Sequence, residues 1–236
     1  MVFARENIFA RGKAAEFMLS LPEEWRTTES QFRPRETLLA EGVVVRGLHI
    51  IKAGWVKVSR ALPDGGHRGV GFFGSGSILG METGEHYSNS AVALTPVATY
   101  SVPLERVWLQ SEGAERTLRL LTAQLAGQLA AAQNQLALLG IVSAERRLAA
   151  FLISIAGLCD KASGGELEVP MRRDDIAEFL GMRSETVSRR IVEFQRRGWI
   201  ELSPKSSLRI LDAAALRSFS AENGDDGLDP AAQDVL

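Results

Sequence analysis

The chain has 236 residues, 45% hydrophobic and 24% charged, with a formal net charge of −2. That is the composition of a globular protein with ample core, and it carries no global basic signature, so any affinity for nucleic acid must come from local charge. Cys159 is the single cysteine, which excludes an intrachain disulfide and any cysteine-rich metal site.

The first residues, MVFARENIFARGKAAEFMLS, are broken by charges every few positions and lack the continuous apolar stretch of a signal peptide. No run approaches the about 18 apolar residues of a membrane span. A cytoplasmic protein without a membrane partner is expected, with residues 1–24 as an N-terminal extension.

Residues 25–110 are expected to form one domain, and from about 30 to 102 the period is two and glycines are frequent. In WVKVSR, Val56 and Val58 alternate with Lys57 and Ser59, as a half-buried strand requires. PDGG, residues 63–66, marks a turn before GVGFF, and AVAL and VATYSV follow as further short strands. Several short strands at close spacing predict a β-roll or small sandwich. FGSGSILG contains G-x-G-x-x-x-G, one residue off the dinucleotide fingerprint and followed by no amphipathic helix; Gly74, Gly76 and Gly80 are read as turn glycines.

Residues 111–142 predict one long helix. Leu118, Leu121, Leu125, Leu129, Ala132, Leu136 and Leu139 make an apolar stripe, bracketed by Gln124, Gln128 and Gln135. A narrow seam of this kind suits a two-copy coiled coil, so a homodimer is expected; the alternative is a core helix lying on the roll. Gly140 interrupts the pattern and Ser143 offers a cap for the next helix, AERRLAAFLISIAGLCD. A last compact domain is expected over 143–215, and 216–236 as a disordered tail, its final stretch AENGDDGLDPAAQDVL carrying five acidic residues and no basic ones.

Within that domain, RRDDIAEFLGMRSETVSRRIVEFQRRGW has the layout of a helix-turn-helix. Ile176, Phe179 and Leu180 face inward from the first helix, Gly181 turns, and Val187, Ile191 and Phe194 share the buried face of the second. Glu185, Ser188, Arg189 and Arg196 fall on the opposite face, with apolar Val192 among them. WIELSPKSSLRIL then reads as two strands around a turn, a wing. From Gly181 to Leu211 seven basic residues stand against three acidic ones. Arginine can donate twice to guanine and glutamate can accept from cytosine N4, while flanking cations hold phosphates without reading sequence. Double-stranded DNA is the expected partner, with Arg190, Arg197, Lys205 and Arg209 at phosphates. A solvated helix pair in a protein-interaction domain is the alternative that pattern alone leaves open.

The order roll, long helix, winged helix-turn-helix resembles the Crp/Fnr superfamily of bacterial transcription regulators over nearly the whole chain after about residue 24. AERRLAAFL and DIAEFLGMRSETVSRR are its most specific parts and resemble the Fnr/FixK branch. The resemblance implies an α+β fold: a roll like a cyclic-nucleotide-binding domain, a dimerisation helix and a winged helix-turn-helix. It also implies base reading by Glu185, Ser188 and Arg189, a palindromic site of TTGAT and ATCAA half-sites, and RNA polymerase as a partner. Crp-like members carry a further arginine where this chain has Ser184, which favours the Fnr-type half-site. Arg183 stands where many members have a capping Ser or Thr. Either the cap is missing, or Ser184 caps and the helix starts one residue later.

The ligand positions depart from the family. Cyclic-nucleotide binders use a glutamate and an Arg-Ser pair, which align with Met81 and Asn89–Ser90; losing the carboxylate and guanidinium makes cyclic AMP an unlikely effector. Oxygen sensors of the family hold an iron–sulfur cluster with several N-terminal cysteines, and this N-terminus has none. No metal site and no resident cofactor are expected. Of His49, His67 and His86, His86 in the GEHYSN loop is the best candidate haem ligand; the plainer reading is a polar loop histidine. Cys159, beside Asp160 and Lys161, is either a redox-sensitive thiol or an ordinary semi-buried cysteine. An effector-switched sensor of the same family is the alternative function. With no nucleophile–base pair, metal cluster or phosphate loop, an enzyme is not expected.

Overall fold

A computed structural model describes residues 23–25, 28–82, 84–108, 114–156, 167–202 and 208–221. Its N-terminal half is an antiparallel β-roll of two four-stranded sheets. One is ordered β1 (Glu29–Phe32), β8 (Val97–Pro103), β3 (Gly47–Ala53), β6 (Ile78–Leu79); the other is β2 (Thr37–Leu39), β7 (Ser90–Ala93), β4 (Val56–Ala61), β5 (His67–Phe73). The period-two pattern explains the stacking: Leu39, Ile51, Val56, Val58, Leu79, Ala91, Ala93 and Val97 meet between the sheets. The predicted 63–66 turn joins β4 to β5, closed by Leu62 N–H to Gly66 O and by Gly66 N–H to the Asp64 carboxylate. On the outer side of the first sheet Trp25, from a 3-10 turn at Glu23–Trp25, packs with Leu48, Ile50 and Val102.

A short helix α1 (Leu104–Trp108) leaves the roll, and α2 (Ala114–Leu139) runs for 26 residues along it. That length is roughly 39 Å at 1.5 Å per residue. Gly140 ends α2, and the Ser143 hydroxyl accepts from Arg146 N–H to start α3 (Ala144–Ala156), as its residue type foretold.

The C-terminal domain contains α4 (Arg173–Leu180), α5 (Ser184–Arg196) and a sheet ordered β10 (Ile200–Leu202), β11 (Leu208–Ile210), β9 (Leu167–Val169). The wing is therefore two-stranded as expected, but β9, unread in the sequence, extends it to three. A last helix α6 (Ala213–Ala221) corrects the expected tail boundary at 216. Leu216 is fully buried, and Phe219 packs on Phe194 and Trp199, with centroids 5.9 and 5.4 Å away. The acidic cluster lies beyond this apolar turn, so the residues from 216 to 221 belong to the domain. The observed class is α+β, and no helix among the described residues is long and apolar enough to cross a membrane.

Candidate nucleic-acid interface

Helix α4 starts with Asp175 reaching back to accept the Arg172 N–H at 3.0 Å, half of a capping box. It ends at Gly181, whose φ of +62° is the left-handed conformation that a residue without Cβ adopts most cheaply. The chain then enters α5 through Arg183, which is extended and makes no side-chain cap; Ser184 is already helical, and its hydroxyl donates to Asp174. Of the two alternatives at this start, the missing cap is the one observed. Glu185, in the first turn, complements the helix dipole instead.

Val187, Ile191 and Phe194 are buried, as their spacing predicts, and the opposite face is open. Glu185 and Arg189 are exposed and Ser188 is half-buried. Among the described residues none of these three side chains is engaged in a hydrogen bond or ion pair. The base-reading candidates thus sit together on one face, with donors and acceptors unspent. Val192 shares that face, 39% exposed.

The expected phosphate contacts are differently placed. Arg190 turns into the domain: its guanidinium pairs with Glu145 at the start of α3 and with Glu193 at 3.0 Å, and its Nε is buried without a partner. Arg197 pairs with Glu193 and lies over the rings of Trp199 and Phe219, 4.9 and 5.2 Å from their centroids. Arg209 pairs with Glu201 across the wing at 3.0 Å. Lys205 falls outside the described residues, as does Cys159. Arg172 and Arg173, at the start of α4, were not among the expected contacts. Together with Arg183, Arg189 and Arg196 they are exposed and, among the described residues, paired with no carboxylate. Arg172, Arg173, Ser184 and Ser188 line a single cleft between α4, α5 and the wing. Two consecutive arginines just ahead of a helix were the available signal.

Along α2 the expected stripe divides. Leu118, Leu125, Leu129 and Leu136 are 51–70% exposed, and Thr122 and Ala132 join them in alternating steps of four and three. Leu121 instead packs on the roll with Leu120, and Leu138 is buried in the C-terminal core. The glutamines face the roll too: Gln124, Gln128 and Gln135 donate to the carbonyls of Gly76, Ile78 and Gly69 at 2.9, 2.9 and 2.8 Å. One face of α2 is therefore a core face, and the other is an unpartnered apolar strip.

Inside the roll, the groups that align with cyclic-nucleotide contacts are otherwise employed. Met81 packs against the apolar cluster of Leu48 and Ile50, and the Ser90 hydroxyl accepts the Glu41 N–H at 3.0 Å. Glu82, next to Met81, accepts both the backbone N–H and the hydroxyl of Ser88, at 3.2 and 2.9 Å. His86 is exposed and bridges through its backbone to Val44. Among the described residues no three His, Cys, Asp or Glu side chains cluster as metal ligands would. His49 is half-buried against Ser101, 3.2 Å from its hydroxyl, and burial lowers its pKa below the ordinary 6.5.

The roll and the helix-turn-helix touch directly. Lys57 Nζ lies 2.7 Å from Asp175 and 2.9 Å from Glu178. Burial works to lower the Lys57 pKa, but hydrogen bonds to the two carboxylates, reinforced by their charge, outweigh it and the net shift is upward. Phe72, Phe151 and Phe179 join the two halves, with centroids 5.1–6.0 Å apart.

Two family models match this chain, a cyclic nucleotide-binding domain over residues 29–109 and a Crp-like helix-turn-helix domain over residues 146–219. The chain is 33% identical over 189 residues to the nitrogen fixation regulation protein FixK of Rhizobium meliloti, spanning 80% of this chain and 85% of that protein. It is 32% identical over 196 residues to the transcriptional activatory protein AadR of Rhodopseudomonas palustris, spanning 81% and 80%. The solved structure of FixK2 from Bradyrhizobium japonicum superposes with a TM-score of 0.74 at 26% identity, covering 84% of this chain and 98% of that one.

Proposed function

Because the chain belongs to the Crp/Fnr family, as a FixK-like DNA-binding transcription regulator, we propose that it binds as a homodimer to a palindromic site of TTGAT and ATCAA half-sites. The observation that carries this reading is the open face of α5, where Glu185, Ser188 and Arg189 stand free above a fully buried Val187, Ile191 and Phe194. Arg189 would donate to guanine and Glu185 would accept from cytosine, each worth about 1–3 kcal/mol of discrimination. Backbone positioning falls to Arg172, Arg173, Arg183 and Arg196, whose charges no carboxylate among the described residues neutralises, while Arg190 braces α5 against α3. The partner's α2 would cover the strip of Leu118, Thr122, Leu125, Leu129, Ala132 and Leu136, with Leu139 at its end, in a heptad seam. Two reading helices would then enter successive major grooves about 34–36 Å apart. RNA polymerase is the further partner this reading implies.

Neither cyclic AMP nor haem is assigned as the effector. The Glu82 carboxylate and Ser90 hydroxyl are satisfied within the roll, and His86 is exposed and bridged through its backbone to Val44. Selection of bound sites from random duplexes tests the reading. Enrichment of TTGA-containing inverted repeats is the expected result, and a selected site without them overturns it. Running the selection with and without reductant reports on Cys159, and absorbance spectra of the purified protein report on haem.

A further inference from the structure

The helix that precedes the turn, α4, is held from three sides by groups that are not part of the DNA-binding domain. From the roll, Lys57 on β4 bridges Asp175 and Glu178; its side chain is 14% exposed, and Asp175's is 12%. From β5, Gly69 lies so close to α4 that a Cβ there would sit 2.8 Å from Phe179 Cα and 2.9 Å from its backbone nitrogen. No side chain fits that gap without displacing backbone. Next to it, Arg68 lays its guanidinium over Gly181 at the turn. From the long helix α2, Gln135 donates to Gly69 O at 2.8 Å and approaches Phe179 O at 3.5 Å, tying helix, roll and α4 at one point. The contact sets both position and angle: a close backbone approach fixes distance, and a largely buried ion triad, at Lys57 two residues along β4 from the Ser59 that pairs with Gly69, fixes rotation. Because α5 follows α4 through a single tight turn, whatever holds α4 also aims the reading helix.

We propose that Lys57 and Gly69 are positioning residues for DNA reading: they clasp α4 to the roll, and so set the half-site spacing that a dimer accepts. This rests on the reading as a dimeric, inverted-repeat binder. Neither residue lies on the reading face of α5, so their effect on DNA would pass through the aim of that helix. A reading head fixed to the roll in each of two copies presents one separation and one twist. Adding or removing one base pair between half-sites turns them relative to each other by about a tenth of a helical turn. A clasped dimer should reject that change, and an unclasped one should tolerate it.

The test measures affinity of the full chain for three duplexes, the selected site and versions with the spacer one base pair longer or shorter. The wild type should prefer its own spacing by about tenfold or more, within the range of a site mismatch. Lys57→Gln and Gly69→Ala should each lower that preference to less than about threefold, while single-base discrimination within a half-site stays intact. Lys57→Arg, which keeps the charge, should retain the spacing preference. If Lys57→Gln fails to fold, Gly69→Ala and Lys57→Arg decide the matter. A wild type that binds no inverted repeat refutes the dimeric reading itself. A wild type with a sharp spacing preference that both variants share refutes the clasp alone.

Discussion

Arg189 and Arg190 are neighbours in the sequence, yet the structure gives them opposite surroundings, and substituting each for alanine should separate their roles. Arg190 holds Glu145 and Glu193 at a site where its side chain is 37% exposed and theirs are 28% and 30%. Partly solvated pairs of this kind are each worth about 0.2–1 kcal/mol. Removing both pairs by Arg190→Ala should therefore cost about 1 kcal/mol of stability, or about 2–4 °C in melting temperature for a chain of this size. Binding measured between 50 and 200 mM salt should keep its slope of log K against log[salt], because no phosphate contact, and hence no counterion release, is lost. Arg189→Ala should leave the melting temperature unchanged and instead lose about 1–3 kcal/mol of discrimination at one G·C step. The reasoning fails if Arg190→Ala lowers the slope by about 0.9, the signature of one lost phosphate contact, while the melting temperature stays put.

Three further outcomes are expected. Leu136→Glu, at a position 70% exposed, should place a carboxylate in the proposed seam, convert the dimer to monomer in sedimentation, and abolish high-affinity DNA binding without unfolding either half. Cyclic AMP at millimolar concentration should give no heat of binding and no change in DNA affinity, because Glu82 and Ser90 are already hydrogen-bonded; a measurable dissociation constant would refute that. His49 has a folded-state pKa below 6.5, so the unfolded chain takes up its proton first as pH falls. Its contribution to stability is full above about pH 6.5 and is lost as the pH falls toward the folded value. Denaturation of His49→Gln should lack that part of the pH dependence.

What the sequence disclosed and what it hid follow from the range of the forces involved. Local signals read well: the turn between β4 and β5, the Ser143 cap, the left-handed Gly181 and the buried face of α5 all depend on neighbours a few residues away. The long helix was legible as a helix but not as a two-faced one. Leu121 belongs to the predicted stripe as fully as Ala132 does, and hydrophobicity alone does not say which of the two meets the roll. Its glutamines bracket the stripe in the sequence, and the roll carbonyls they satisfy lie 48 to 66 residues earlier, out of reach of any helical pattern. The ion pairs of Arg190 were hidden for a similar reason: Glu145 precedes it by 45 positions, and a helical wheel shows only one element. The helix Ala213–Ala221 was hidden by the acidic residues after it, although Leu216 and Phe219 are spaced as one inward face.

The aromatic junction of Phe72 with Phe151 and Phe179 has a consequence for how such a protein can be rebuilt. Phe72 belongs to the roll by chain position and to the C-terminal core by contact, and it is almost fully buried there. Cutting the chain between α2 and α3 would leave that ring exposed on the roll fragment and open a hole in the C-terminal one. A chimera that grafts this reading head onto an unrelated roll would need a matching aromatic on β5 and a glycine at the Gly69 position. By the same logic, heating the intact chain should give one cooperative calorimetric transition, because the C-terminal core loses Phe72 when the roll melts.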